Sequence, residues 1–537
     1  MRAVTSLCAA ALVLPYLAAA SGAPPPPHKT PSGTKPPKPT GPVKPDPPKP
    51  TGPVKPDPPK PHGNVDSERL QAAITEASLR AGAQKLMDFA TANGGNRAFG
   101  SKGHQATVDF LYDSLTALDY YDVYKQEFTA SFSAGSAALE VGGLTVTAKV
   151  MTYSPSGSGE ASVVAVNSLG CTVEDFPADV KGKVALISRG ECAFAVKATN
   201  AKTSGAVAAI IYNNVEEALS GTLGEASDGY VPVVGITLEA GQAVLKSLEA
   251  GEVTANFDVE TIQEDRVTHN VIATSRSGDQ DNVLVVGGHS DSVYDGPGIN
   301  DDGSGIIGVL RVAEALSKFK VKNAVRFGFW SAEEFGLLGS YEYMKVLNQS
   351  ETDLAKVRAY LNVDMIASPN YVYSIYDGDG SAFNLTGPAG SDVLEADFEK
   401  FFAKSKVASV PTEFSGRSDY AAFIENGIPS GGLFTGAEGK KTEEEAALFG
   451  GKAGEAYDAN YHAKLDDMNN MAWDAFLMNT KAIANSVAKY ALSFDSLPPV
   501  NIKQRRQTGD RVRYTKRTTY VHKHSHSAPC GHDADRI

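Results

Sequence analysis

From His269 to about Phe494 the chain alternates short apolar runs with helix-forming stretches, and ionisable residues follow the apolar runs directly. Residues 282–288, 324–330, 360–365, 372–376 and 431–434 read as strands. Strands separated by helices predict an α/β fold, a mostly parallel mixed sheet flanked by helices. Ligands of such sheets bind beyond the carboxyl ends of the strands. His289 and Asp291 follow NVLVVGG, Glu333 and Glu334 follow AVRFGFWSA, and Asp364 ends YLNVD. Three strands would thus bring His, Glu and Asp to one rim. Between the first two lies GINDDGSG (298–305), with Asp301 and Asp302 just ahead of an apolar helix expected to open at about Ile306. His462 comes much later, in NYHAKLDD.

The preceding sequence has a different character. Residues 64–122 read as helical, with Ser67 as a cap and a second run over 106–118 that places Val108, Leu111, Tyr112 and Leu115 on one face. Between Phe128 and about Phe257, short β-branched runs at 144–150, 161–166, 184–187, 208–212 and 231–236 alternate with Gly, Ser and Asp turns. A β-rich unit therefore interrupts or precedes the α/β unit. If 64–127 pack on the later α/β unit, it is an insertion.

The two ends lie outside this pattern. Residues 1–20 have the form of a secretory signal: Arg2, an apolar run from Leu7 to Leu17, and small residues at Ala18–Ala20. The run is too short for a membrane span, and no later stretch supplies one. Residues 21–63 are proline-rich, with 18 of the 30 prolines and a tandem KPTGPVKPDPP repeat, so an extended spacer is expected. The tail 498–537 is basic and lacks apolar periodicity, which predicts disorder. Its His522, His524, His526 and Cys530 have no closed ligand spacing. The net charge of −13 hides an acidic body: residues 64–500 carry 58 Asp/Glu against 33 Lys/Arg, which argues against a nucleic-acid partner. Cys171 and Cys192 are the cysteines of the body, and a secreted context favours pairing them.

Two histidines with several carboxylates are donors that suit zinc, and a metal pair needs a bridging carboxylate. His104 and His269 read as packing residues. The motifs GGHSDSV (287–293), GINDDGSG (298–305), SAEEFGLLGS (331–340), YLNVDMIASPN (360–370) and SGRSDYAAF (415–423) resemble those of secreted di-zinc aminopeptidases, the fungal leucine aminopeptidase and aminopeptidase Y group. The resemblance covers roughly 64–495. The stretch 171–194 is similar to a protease-associated (PA) domain, in which the positions of Cys171 and Cys192 form a disulfide.

The resemblance implies a PA insertion over 140–258, with the peptidase domain in two parts, 64–139 and 259–497. It implies two Zn²⁺ ions, one on His289 and Asp364, the other on Glu334 and His462, bridged by Asp301. Glu333 would be the general base, Asp291 would orient His289, and Tyr461 would assist the oxyanion. Arg417 would lie near substrate, and Met365 and Phe434 would wall a hydrophobic side-chain pocket. The expected activity is release of amino-terminal, large hydrophobic residues from peptides or proteins with a free amino terminus, by a secreted monomer. Relatives often carry DPCYHxxCD around the last ligand. Here Asn460 and Leu465 replace both cysteines, which removes a constraint on the Tyr461–His462 loop.

Two other enzyme readings remain: a carboxypeptidase of the glutamate-carboxypeptidase type, which needs a cationic pocket that only Arg417 suggests, and a glutaminyl-cyclase-like activity. A receptor-like reading predicts lost ligands, whereas all five positions are intact. Asn348 and Asn384 fit the N-glycosylation pattern.

Overall fold

The computed structural model describes residues 62–214, 219, 221–224 and 226–501. The expected signal segment, the proline-rich segment as far as Pro61 and the tail from Ile502 lie outside the described residues.

The strand Asp279–His289 is the axis of the sheet. It pairs in parallel with Asn323–Trp330 on one side and Val357–Val363 on the other. Ser430–Phe434 adds in parallel beyond Val357–Val363. Outside this parallel centre run antiparallel strands, Thr254–Ser275 against Asn323–Trp330 and Ser374–Tyr376 against Ser430–Phe434. The mixed α/β sheet with a parallel centre is as expected.

Side-chain alternation along the axial strand divides the interior into two cores. Leu284 and Val286 face a cluster with Leu86, Ile306, Leu310, Phe476 and Ile483. Val283 and Val285 face one with Trp330, Tyr343, Tyr360 and Phe423. The helix Gly303–Leu316 is buried except at Arg311 and Glu314, which pair with each other at 2.6 Å. The helices Glu76–Ala92 and Trp473–Tyr490 pack beside it, so the N-terminal segment belongs to the peptidase layers.

The unit between them is an insertion carried on two long strands. Tyr121–Val141 and Thr254–Ser275 pair antiparallel without a break from Tyr121↔Ser275 to Val141↔Ala255. The expected boundaries fall inside this ribbon, where Leu139 faces Phe257 and Ala138 faces Asp258. The sequence hides the ribbon because much of it is half-exposed and polar, with no sustained apolar run. Nor is the inserted unit simply β-rich. Its parallel strands Val184–Ser188, Ala208–Tyr212 and Val233–Ile236 alternate with the helices Phe194–Ser204 and Leu238–Ala250. Cys171 and Cys192 are disulfide-bonded, with a Cα–Cα distance of 5.7 Å.

Three local expectations change. The region 64–122 is broken into the helices Ser67–Ala72, Glu76–Ala92 and Lys102–Thr116. Asp66, not Ser67, caps the first, accepting the Arg69 N–H at 2.9 Å. The strand His62–Asn64 already pairs with Phe319–Lys320 inside the segment expected to be linker.

The loop between the second and third helices holds the sheet's functional rim. Arg97 is fully buried. Its Nε donates to Pro297 O at 2.9 Å, Nη1 to Ser290 O at 2.6 Å and Nη2 to Gly298 O at 2.6 Å, while its backbone N–H reaches Ser292 Oγ at 2.9 Å. His104 Nε2 lies 2.9 Å from Ser290 Oγ. Replacing Arg97 by Met withdraws the guanidinium from three buried carbonyls; Gly298 O keeps the Gly303 N–H at 3.0 Å, whereas Ser290 O and Pro297 O lose their partner. At about 1–3 kcal/mol for each of these two groups, the expected loss of stability is about 2–6 kcal/mol. Arg97→Lys should recover only part of it, because one ammonium cannot span the fork. Urea unfolding followed by tryptophan fluorescence checks both variants.

Candidate metal centre

The rim expected from the sequence is assembled. His289 is the last residue of the axial strand, and Glu333 and Glu334 follow the neighbouring strand that ends at Trp330. Asp364 follows the strand that ends at Val363. Asp301 lies just before the helix Gly303–Leu316. Its two oxygens face different imidazoles: Oδ1 is 3.1 Å from His289 Nε2, and Oδ2 is 3.3 Å from His462 Nε2. Asp364 Oδ1 lies 3.6 Å from His289 Nε2, and Glu334 Oε2 lies 2.9 Å from His462 Nε2. Two groups able to hold a metal ion share His289, one with Glu333 and Asp364, the other with Asp301 and Glu334.

Backbone and polar neighbours position each of these side chains. Asp302 caps the apolar helix through Gly305 N–H and also accepts N–H groups from His289 and Met365, tying helix, axial strand and Asp364 loop together. A Cβ on Gly288 would fall 2.5 Å from Asp302 Oδ2, so this approach requires glycine. Asp466 accepts the N–H groups of Asn300 and Asp301 at 2.9 and 3.0 Å. Ser418 Oγ donates to Asp364 Oδ2 at 2.5 Å. Asp291 Oδ1 accepts the Glu333 N–H at 3.1 Å and lies 3.7 Å from His289 Nδ1, too far for a hydrogen bond. Asp291 thus orders the backbone of Glu333 as well as facing His289. Ala332, Met365 and His462 have left-handed φ values of 58°, 46° and 53°, a concentration of backbone strain around the cluster.

The His462 loop is held without a cysteine pair. Asn460 Nδ2 donates to Asn470 Oδ1 at 2.8 Å, and Asn470 Nδ2 reaches both oxygens of Asp458 at 2.9 Å. Asp458 also accepts Asn300 Nδ2 at 2.7 Å, which links this loop to the one bearing Asp301. Leu465, at the other former cysteine position, is exposed.

The electrostatics test whether these residues suit metal. Asp291, Asp301, Asp302, Glu333, Glu334, Asp364 and Asp419 are all buried, against His289, His462 and Arg97. Burial pushes the carboxyls of Glu333 and Glu334 above their ordinary range. Burial works against charge on His289, but Glu333 and Asp364 outweigh it and hold the imidazole well above its usual value. His462 is likewise opposed by burial and driven up by Glu334 and Asp301, to about 10. Both oxygens of Glu334, Asp301 Oδ2 and His462 Nε2 are buried and make no hydrogen bond. Convergent N and O donors, net negative and with these four atoms lacking hydrogen bonds, fit a divalent cation.

The remaining expected residues lie around this cluster. The Tyr461 ring stacks on His462 with centroids 3.8 Å apart, and its hydroxyl is 3.4 Å from Arg417 Nη2. Met365 is nearly buried, while Phe434 is half-buried at the end of the strand beside Asp364. Asn384 is exposed, whereas Asn348 is half-buried with its Nδ2 donating to Asn426 Oδ1 at 2.6 Å. Sequence reasoning missed Arg97, Asp302 as a three-way acceptor, Asp466, Asn470 and Glu438. The stretch NGGNRAFG carried a usable signal, an arginine within a Gly/Asn loop. The others act through fold-specific contacts that spacing does not reveal.

Residues 270–487 match the model of peptidase family M28, and residues 159–244 match that of the PA domain. The chain is 54% identical over 460 residues to a probable leucine aminopeptidase 2 of Aspergillus fumigatus, covering 85% of this chain and 91% of that one. It is 49% identical over 436 residues to leucine aminopeptidase 2 of Arthroderma otae, covering 81% and 88%. Among solved structures it resembles an aminopeptidase from Aneurinibacillus sp. strain AM-1, with 27% identity, a TM-score of 0.63 and coverage of 81% and 97%. A zinc aminopeptidase from Bacillus subtilis shares the fold, at 24% identity, a TM-score of 0.57 and coverage of 79% and 95%. With its buried His and carboxylate cluster at the carboxyl ends of a mixed sheet and an inserted PA domain, the chain belongs to peptidase family M28 and is a peptide hydrolase.

Proposed function

We propose that the protein is a secreted zinc aminopeptidase that releases large hydrophobic residues from the free amino terminus of peptides. The observation that carries this reading is Asp301, whose two oxygens face different histidines at 3.1 and 3.3 Å, an arrangement suited to bridging two metal ions. His289 and Asp364 would hold one zinc and Glu334 and His462 the other. When bound, the pair would make a water acidic enough to ionise near neutral pH and would polarise the scissile carbonyl.

The rest of the chemistry falls to side chains of this chain. Glu333 is not needed as a ligand and takes the water proton, then delivers it to the leaving amine. Its raised proton affinity suits a group that must both accept and release a proton. Asp291 keeps Glu333 in place through the Glu333 N–H and faces His289. Tyr461 donates its hydroxyl hydrogen toward the oxyanion, with Arg417 3.4 Å behind it. The acidic rim receives the substrate's cationic amine, and Met365 and Phe434 border the space for its side chain. No helix among the described residues is long and apolar enough to cross a membrane, and secretion is inferred from residues 1–20.

Four outcomes are expected. Glu333→Gln should retain zinc by elemental analysis while kcat falls about 10²- to 10⁴-fold, the usual span for a lost acid–base group. Near-wild-type turnover would remove Glu333 from the mechanism. In a panel of aminoacyl chromogenic substrates, leucyl and similar substrates should lead, a chelator should abolish release and added zinc should restore it. Nα-acetylation of a peptide should stop its hydrolysis, whereas cleavage of the blocked peptide from its carboxyl end would favour a carboxypeptidase. Finally, chain secreted from a eukaryotic host should carry glycan at Asn384 and not at Asn348, whose amide is committed to Asn426; peptide mass mapping before and after glycosidase treatment decides this.

A further inference from the structure

Arg417 and Glu438 form a paired contact beside the metal centre. Nη1 lies 3.1 Å from Glu438 Oε1 and Nη2 lies 3.4 Å from Oε2, a fork-to-fork arrangement. The two side chains are 29% and 28% exposed, so the pair is partly withdrawn from water but open to a ligand. Arg417 Nη2 also approaches the Tyr461 hydroxyl, which connects the pair to the group proposed to assist the oxyanion. Glu438 follows the strand Ser430–Phe434 and lies outside the expected metal ligands.

The charge balance gives this pair a consequence for substrates. In a dipeptide, the terminal carboxylate lies one residue beyond the scissile bond, close to the groups that contact the scissile carbonyl oxygen. In a longer peptide a neutral amide occupies that place. A carboxylate there needs a cationic partner, because the surrounding buried side chains are predominantly acidic. Arg417 has the geometry for that partnership, but Glu438 already engages it. A substrate carboxylate would have to compete with Glu438 for the guanidinium, which brings two like charges together in a half-buried site.

Resting on the aminopeptidase reading, we infer that Glu438 is a specificity-determining residue that occupies Arg417 and turns the enzyme away from free dipeptides toward substrates whose second residue continues as an amide. Its charge acts against a carboxylate beyond the scissile bond and is indifferent to a neutral amide in the same place. This differs from a role in merely aligning Arg417 with Tyr461, which would affect both substrate types alike.

The test compares leucylglycine with leucylglycinamide, which differ in this one charge. The wild-type enzyme should show a higher kcat/KM for the amide. Glu438→Gln keeps the side-chain shape and removes the charge, and should raise the dipeptide-to-amide ratio of kcat/KM by at least about tenfold, the effect of one charge-assisted hydrogen bond. In an Arg417→Gln background the same substitution should produce no such gain, because the cation it would release is absent. An unchanged ratio in Glu438→Gln, or a parallel fall for both substrates, would overturn the inference while leaving the aminopeptidase reading intact. Failure of the wild-type enzyme to release leucine from either substrate would overturn that reading and the inference together.

Discussion

Buried carboxylates, Asp458 and Asp466 among them, outnumber the histidines and the one buried guanidinium at the end of the sheet, and charge in such excess cannot be left uncompensated in a protein interior. The neighbouring carboxylates hold the His289 and His462 imidazoles above their ordinary proton affinity, one sign of that imbalance, while burial raises the carboxyls of Glu333 and Glu334. Cations resolve it, and the geometry divides the donors for that purpose, with Asp301 between the two histidines. The support around these residues can be understood as what keeps mutually repelling groups in one place.

That support draws on distant parts of the chain. Arg97 and His104 come from before the insertion and hold Ser290, Ser292, Pro297 and Gly298, the loop that leaves His289 and leads to Asp301. Asp466 reaches back from the C-terminal part to the Asp301 N–H. Asp302 ties the helix start to the ends of two strands. The buried guanidinium spends its donors on carbonyls, so its charge serves the acidic cluster at longer range while its hydrogen bonds order the loop. The His462 loop uses Asn460, Asn470 and Asp458 instead of a covalent link, and the same Asp458 joins it to Asn300.

The insertion interrupts the chain without disturbing this arrangement because it is carried on a continuous antiparallel ribbon. Tyr121–Val141 and Thr254–Ser275 begin in the peptidase sheet and end in the PA unit with unbroken pairing, so the interruption leaves no loose junction. One strand pair therefore brings Arg97 and His104 back to the rim despite more than a hundred intervening residues.

Much of the acidic rim was legible in the sequence. The strands of the parallel centre are buried on both faces, so they appear as apolar runs, and the residues immediately after them must emerge at one edge. That logic, with the five motifs, was enough to identify the fold class and bring His289, Asp301, Glu333, Glu334 and Asp364 together. His462 follows no strand; it joins the set as the second histidine of a zinc-suited donor group, and the family resemblance supplies its pairing with Glu334. The long ribbon was not legible because its exposed half has no apolar period, and the Asp66 cap differed from Ser67 by one position, which local propensity does not resolve. Only the tertiary structure decided that Arg97 and His104 grip the loop after His289, that Asp291 holds the Glu333 backbone, and that Glu438 occupies Arg417. Each of these is a contact between residues far apart in the chain, set by how strands and loops are placed in space. Sequence alone determined which chemical groups reach the rim; packing decided what each one touches.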